Sequence, residues 1–395
     1  MTLKNKMGKQ ILLYSILGIL GSWCVIQGGR QALKGWDAKL NEKLQSRAEE
    51  FFFPNLTQME RQKDRNLGEW IVAQAMNIMP LGKYVVAKAE KHYEVEDQMT
   101  KEMILKAQAK DENEVDENGN LINHTGETVP EVPKEIVQGG LDTSMEMLRD
   151  FDYLLSNFYT VDSTTMIDSN QLNPEVLLGA NMKINKAAAG PKVLVFHTHS
   201  QETFIDSTPG DPTTSIVGIG TYLTEKLNEK GIAAIHDEGI YDIIEGKLDR
   251  SKAYECSEVG VRQILAENPS VEVVIDLHRD GVKSETHLLS DINGKQTAKI
   301  MFFNGLSRTR TNGDIAYLQN PYIQDNLAFS LQMQIAAENK YPGFARHIYL
   351  KGYRYSLHMM PKSLLIEAGA QTNTVAEMKN AMDALSDILY HVLAE

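Results

Sequence analysis

Five short runs in this chain are apolar on successive residues rather than on alternate ones: VLVF (193–196), IAAIH (232–236), VEVVIDL (271–277), KIMFF (299–303) and SLLIE (363–367). A strand is apolar at both parities only when both of its faces are covered, the condition of a parallel sheet between helices. Helical spacing fills the intervals. Val217, Tyr222, Leu223 and Leu227 form one stripe, Tyr254, Val259, Val261, Ile264 and Leu265 a second, and Leu327, Leu331 and Ile335 a third; Val375, Met378, Met382, Leu385, Ile388 and Leu389 form the last. The alternation predicts an α/β fold over 191–395, with a mainly parallel sheet flanked by helices on both sides. In such sheets ligands bind beyond the carboxyl ends of the strands.

That rule selects the residues that matter. The first run leads into His197-Thr198-His199-Ser200-Gln201-Glu202, the third into His278-Arg279-Asp280, and the last ends at Glu367, two residues before Gly369. A single histidine at a strand end is usually a hydrogen-bonded structural residue. Three strands delivering His and Glu to one edge is a stronger signal. His199, Glu202 and His278 supply two imidazoles and a carboxylate, a set that Zn2+ accepts while keeping a fourth position open. Glu367, ending an apolar strand, is the candidate general base, because partial burial raises a carboxyl pKa toward a useful value. If the first strand continues, alternation puts His197 on the same face as His199, so His197 is a rival ligand or a supporting residue. Arg279 and Asp280 either orient ligands and substrate or form a plain ion pair. Ala368, Gly369 and Ala370 are small enough to leave room for substrate. His236, His287, His347 and His358 are reserve candidates.

The rest of the chain divides by composition. Gln10 to Gly29 carries no charge and follows Lys4, Lys6 and Lys9, which predicts a transmembrane anchor over 1–30 with its tip in the cytoplasm and the remainder outside the cell membrane. Residues 31–110 read as a membrane-proximal helical region, either a stalk or docking module or a solvated spacer. Residues 111–135 are acidic, lack Lys and Arg before Lys134, and hold Pro130 and Pro133, as a flexible linker does. Residues 136–190 read as a lead-in to the domain over 191–395. The net charge of −13 argues against a broad nucleic-acid surface. Cys24 and Cys256 form no disulfide framework or metal motif.

Other motifs fail on context. Gly218-Ile219-Gly220 lacks the rest of a dinucleotide fingerprint, and His278-Arg279-Asp280 lacks the kinase glycine loop. The stretches NFYTVDSTTMIDSNQL (157–172), VLVFHTHSQETF (193–204), KLDRSKAYE (247–255), VVIDLHRDG (273–281) and SLLIEAG (363–369) occur in the order that resembles the stage II sporulation protein P family of cell-wall hydrolases. The resemblance implies a zinc amidase-like domain with N-acetylmuramoyl-L-alanine amidase activity, and endopeptidase activity beside it, on peptidoglycan during engulfment. It also implies stage II sporulation proteins D and M as partners. The domain is similar to zinc amidases in which a second ligand is a Glu at the start of the next helix; Thr213 to Val217 offers no Glu there, so Glu202 takes that place. Two other functions fit the same residues: a zinc carboxypeptidase-like enzyme, which would use Arg279, Arg308, Arg310, Arg346 or Arg354 to grip a terminal carboxylate, and a non-catalytic wall-binding scaffold.

Overall fold

The computed structural model describes residues 140–395. The anchor, the stalk and the acidic stretch 111–135 lie outside the described residues. Among the described residues no helix is long and apolar enough to cross a membrane.

The described chain opens with α1 (Met145–Leu148), α2 (Phe151–Phe158), β1 (Tyr159–Val161) and α3 (Pro174–Gly179). It continues through β2 (Val193–Phe196), α4 (Ile216–Glu229), β3 (Ala234–His236), the small ribbon β4 (Ile243–Ile244) and β5 (Lys247–Leu248), and α5 (Ala253–Glu267). Then come β6 (Val273–Asp280), the hairpin β7 (Leu289–Ile292) and β8 (Lys295–Ala298), β9 (Ile300–Gly305), and the ribbon β10 (Arg308–Thr309) and β11 (Gly313–Asp314). The last elements are α6 (Ile323–Lys340), β12 (Ile348–Lys351), β13 (Ser363–Ala370) and α7 (Val375–Ala394). Local chemistry marks the ends. Asn173 caps α3 with Pro174 in its first turn, and Thr374 and Glu377 close a reciprocal capping box on α7.

Seven strands form one sheet in the order β1-β12-β9-β13-β6-β2-β3. All neighbours are parallel except β13 and β9, which pair antiparallel. The sheet is therefore two parallel blocks of opposite direction joined at one seam. The block β13-β6-β2-β3 sends its carboxyl ends to a single edge. All five apolar runs are strands of this sheet, and the four helical stripes are α4, α5, α6 and α7.

The two faces are covered unequally. Val193, Val195, Val273, Ile275, Leu277, Leu364 and Ile366 point into the large core with α4, α6 and α7. The opposite parity, Leu194, Phe196 and Val274, packs on α5 through Val261, Ile264 and Leu265 and on Met359 and Met360. Further along that second face an aromatic cluster of Phe303, Tyr349 and Tyr355 packs with Leu357 and Leu365.

Two strands at the β1 end of the sheet had no strong sequence signal. β12 sits between β9 and β1, and β1 pairs Tyr159–Val161 with Ile348–Leu350. The segment read as a lead-in thus supplies a strand to the sheet. It also buries Leu148, Leu154, Phe158, Leu172 and Leu177 in the large core.

Candidate metal and catalytic site

The site forms where the β13-β6-β2 block reaches its carboxyl edge. β2 ends at Phe196, and the next residues leave the strand in a turn. Buried Asp242 fastens that turn, accepting from Ser200 Oγ at 2.7 Å and from the Gln201 N–H at 3.2 Å. The Glu202 carbonyl accepts from the Ile216 N–H at 3.0 Å, tying the turn to the start of α4. In β6 and β13, His278 and Glu367 are direct neighbours in register, and both lie on the face away from the large core. A bulge follows Glu367, and Gly369 takes φ +59° there.

These elements bring His199, Glu202 and His278 together, with ligand-type atoms all within 4.8 Å of one another. His199 Nδ1 lies 3.6 Å from Glu202 Oε1, and His278 Nδ1 lies 4.0 Å from Glu202 Oε2. The two imidazole rings meet edge to face at 4.8 Å. Each of the three residues is at most 1% exposed. Glu367 is 4% exposed, and its Oε2 is buried with no hydrogen-bond partner. A buried, unsatisfied carboxylate oxygen beside His278 calls for a water, an ion or a substrate group.

His199 and Glu202 carry the charge states that a cation requires. Burial, with Arg250 next, pushes the His199 imidazole down to about 3, so it is neutral and able to donate a lone pair. Burial works against ionisation of Glu202, yet Arg250 and neighbouring hydrogen bonds hold its carboxyl well below the usual carboxylate range. Glu202 Oε1 accepts from Arg250 Nη2 at 3.1 Å, and Oε2 accepts from the Arg279 N–H at 2.7 Å. Burial disfavours the charged form of His278, but Asp276 outweighs it and lifts the imidazole to about 10. Burial pushes the Glu367 carboxyl up, against the opposing pull of His278. A neutral imidazole, an ionised carboxylate and a second imidazole within reach of one point fit Zn2+ by donor type and spacing.

The structure separates His197 from this group. Because the strand stops at Phe196, the alternation that would place His197 and His199 together is broken. His197 Nδ1–H donates to the Leu277 carbonyl at 2.7 Å, and its Nε2 lies 2.8 Å from His236 Nε2. Both rings press on Gly220 of α4, where a side-chain Cβ would overlap His197 and come within 2.7 Å of His236 Nε2. Thus Gly220 gives close packing rather than phosphate binding. His287 pairs with Glu377 at 2.9 Å and His358 with Glu258 at 2.9 Å, both away from the cluster.

Arg279 and Asp280 each reach beyond the other, although Arg279 Nη1 donates to the Asp280 carbonyl at 3.2 Å. The Arg279 backbone orients Glu202, while Asp280 Oδ2 accepts from Arg346 Nη1 at 2.5 Å. The reading of 368–370 as open space for substrate is corrected. Ala368 and Ala370 are fully buried, and Gly369 packs against Met378 and Asn373 of the α7 end. Alternation turns Ala368 into the core that Glu367 faces away from.

Sequence reasoning passed over Arg250 and Asp276. Arg250 is 1% exposed although it lies beside a short ribbon in a polar stretch, where nothing marks it as buried. The Asp276-Leu277-His278 spacing was legible as two residues on one strand face, but the interaction needs the ring orientation.

The family model of stage II sporulation protein P matches residues 63–390. The chain belongs to this family. A curated member, stage II sporulation protein P of Bacillus subtilis (strain 168), is 24% identical over 220 residues, covering 51% of this chain and 52% of that protein. The chain thus matches about half the length of that relative. Among solved structures, the CwlD amidase of Clostridioides difficile in complex with the GerS lipoprotein is similar at 17% identity and a TM-score of 0.33, covering 51% of this chain and 98% of that one. The N-acetylmuramoyl-L-alanine amidase AmiC2 of Nostoc punctiforme is similar at 13% identity and a TM-score of 0.30, covering 52% and 98%.

Proposed function

We propose that this protein is a zinc-dependent N-acetylmuramoyl-L-alanine amidase that cleaves the bond between muramic acid and the stem peptide of peptidoglycan during sporulation. The observation that carries this reading is the meeting of His199, Glu202 and His278 with Glu367 at one strand edge. Family membership supports it. When bound, Zn2+ supplies Lewis-acid polarisation of the scissile carbonyl and acidification of a water. His199, Glu202 and His278 hold the ion. Glu367 takes a proton from the attacking water and returns it to the leaving amine. Its raised pKa suits both halves of that exchange. Arg250 and the Arg279 N–H keep Glu202 ionised and aimed.

The wider setting is part of the same proposal: an anchor over 10–29, a catalytic portion outside the cell membrane, a role in engulfment, and stage II sporulation proteins D and M as partners. The carboxypeptidase-like alternative has less support. Of its five candidate arginines, Arg308 is engaged with Asp314, Arg310 with the Ser163 carbonyl, Arg354 with Glu258 and Arg346 with Asp280, while Arg279 stands at the cluster, its N–H donating to Glu202.

Digestion of purified peptidoglycan by the zinc-replete chain, with mass analysis of the products, tests the reading. Release of intact stem peptides is expected. Release of single amino acids would favour a carboxypeptidase, and binding without products a scaffold. Glu367→Gln should keep zinc and wall binding while losing about 10²–10⁴ in rate. A fully active variant would remove Glu367 from the chemistry.

A further inference from the structure

His278 has two ring nitrogens, and a cation site can use only the one left without a proton. Nε2 lies 2.7 Å from Asp276 Oδ1. An ionised carboxylate only accepts, so Nε2 keeps its hydrogen, and Nδ1, turned toward Glu202, is the nitrogen that gives up its proton when a cation binds. Asp276 is 1% exposed and is itself held from several sides. Its Oδ1 accepts from the Thr198 N–H at 2.9 Å, its Oδ2 accepts from Thr198 Oγ1 at 2.8 Å, and the Ser356 side chain adds a further hydrogen bond. Thr198 Oγ1 also lies 3.1 Å from Ser257 Oγ on α5.

Thr198 directly precedes His199, and Asp276 stands two residues before His278 on the same face of β6. One carboxylate therefore clasps the segment that carries the first histidine and orients the ring of the second. We infer that Asp276 is a positioning residue of the cation site, fixing the His278 ring with Nδ1 toward the ion and locking the His199 segment to β6. This inference rests on the zinc reading above. A plain structural clamp between β2 and β6 would look similar in the fold. It would not govern metal affinity in the folded protein.

The test measures Zn2+ affinity of the full chain by competition with a chromogenic chelator. Asp276→Asn keeps the shape but removes the charge. Loss of such a supporting partner is expected to weaken zinc binding about 10–100-fold. In the zinc-loaded, 15N-histidine-labelled protein, the strongly downfield Nε2–H signal of His278 should shift upfield in the variant. A folded Asp276→Asn protein with unchanged zinc affinity overturns the inference. If that variant does not fold, Thr198→Val takes its place, since it removes one donor to Asp276 and spares every candidate ligand. A weaker zinc affinity supports the role, and an unchanged one overturns it. A parent chain that binds no zinc overturns the cation reading itself, whereas zinc binding with an indifferent Asp276 overturns only the positioning role.

Discussion

His199 and His197 are two residues apart and chemically identical, yet only His199 turns toward Glu202 and His278. Changing His199, Glu202 or His278 to Ala should abolish stoichiometric zinc, because three protein ligands are the minimum of an open catalytic site. His197→Ala should retain zinc, since its ring is occupied by the Leu277 carbonyl and His236. Metal analysis after gel filtration reads both; zinc lost from His197→Ala and kept by His199→Ala would reverse the assignment. Arg250 offers a second test at this scale. It is the buried countercharge of Glu202, with both side chains at most 1% exposed. Removing one partner of a buried pair costs about 3–5 kcal/mol. Arg250→Ala should show that loss in chelator-treated protein and a smaller one with zinc, whose charge compensates Glu202. Denaturant melts with and without metal measure the difference, and equal losses would count against a cation beside Glu202.

Among the elements, α4, α6 and α7 lie on one face of the sheet and are tied together near Asp387. Asp387 of α7 pairs with Lys230 at the end of α4, and it accepts from Tyr341 Oη at 2.6 Å, just beyond α6. Burial opposes its ionisation, but Lys230 and Tyr341 hold the carboxyl below its ordinary value. A depressed carboxyl pKa stabilises the fold above the unfolded-state value and loses that contribution as pH falls through the folded one. The site is partly open to solvent, so the contribution is discounted to about 0.5–1 kcal/mol at pH 7. Asp387→Asn should be less stable than the parent by that amount, and the gap should narrow as pH falls below about 3.9. Urea midpoints at pH 7 and pH 3 check it; a gap as large at pH 3 as at pH 7 would assign the effect to packing instead.

For the whole described unit, the N-terminal portion is part of the sheet and core rather than a preface to them. Leu148, Leu154, Phe158, Leu172 and Leu177 are each at most 1% exposed. Gln332 of α6 donates to the carbonyls of Leu177 and Ala180 at 2.9 and 2.8 Å. Full burial of each such side chain contributes about 1.5–3 kcal/mol, so their joint loss rivals the stability of a typical domain. Residues 136–395 should therefore melt cooperatively and residues 191–395 should not, as thermal near-UV circular dichroism will read. A cooperative melt of the shorter fragment would make 140–190 dispensable. The sequence by itself determined the sheet of buried strands, the four long helices and the shared edge for His199, Glu202, His278 and Glu367. Those features follow from runs and spacings along the chain, which local geometry converts directly into faces and ends. Only the tertiary structure decided the antiparallel seam, the edge place of β1, the burial of Arg250 and the turning away of His197. Each of these depends on where a strand stops or which distant segment packs against it, and neither is encoded in a local period.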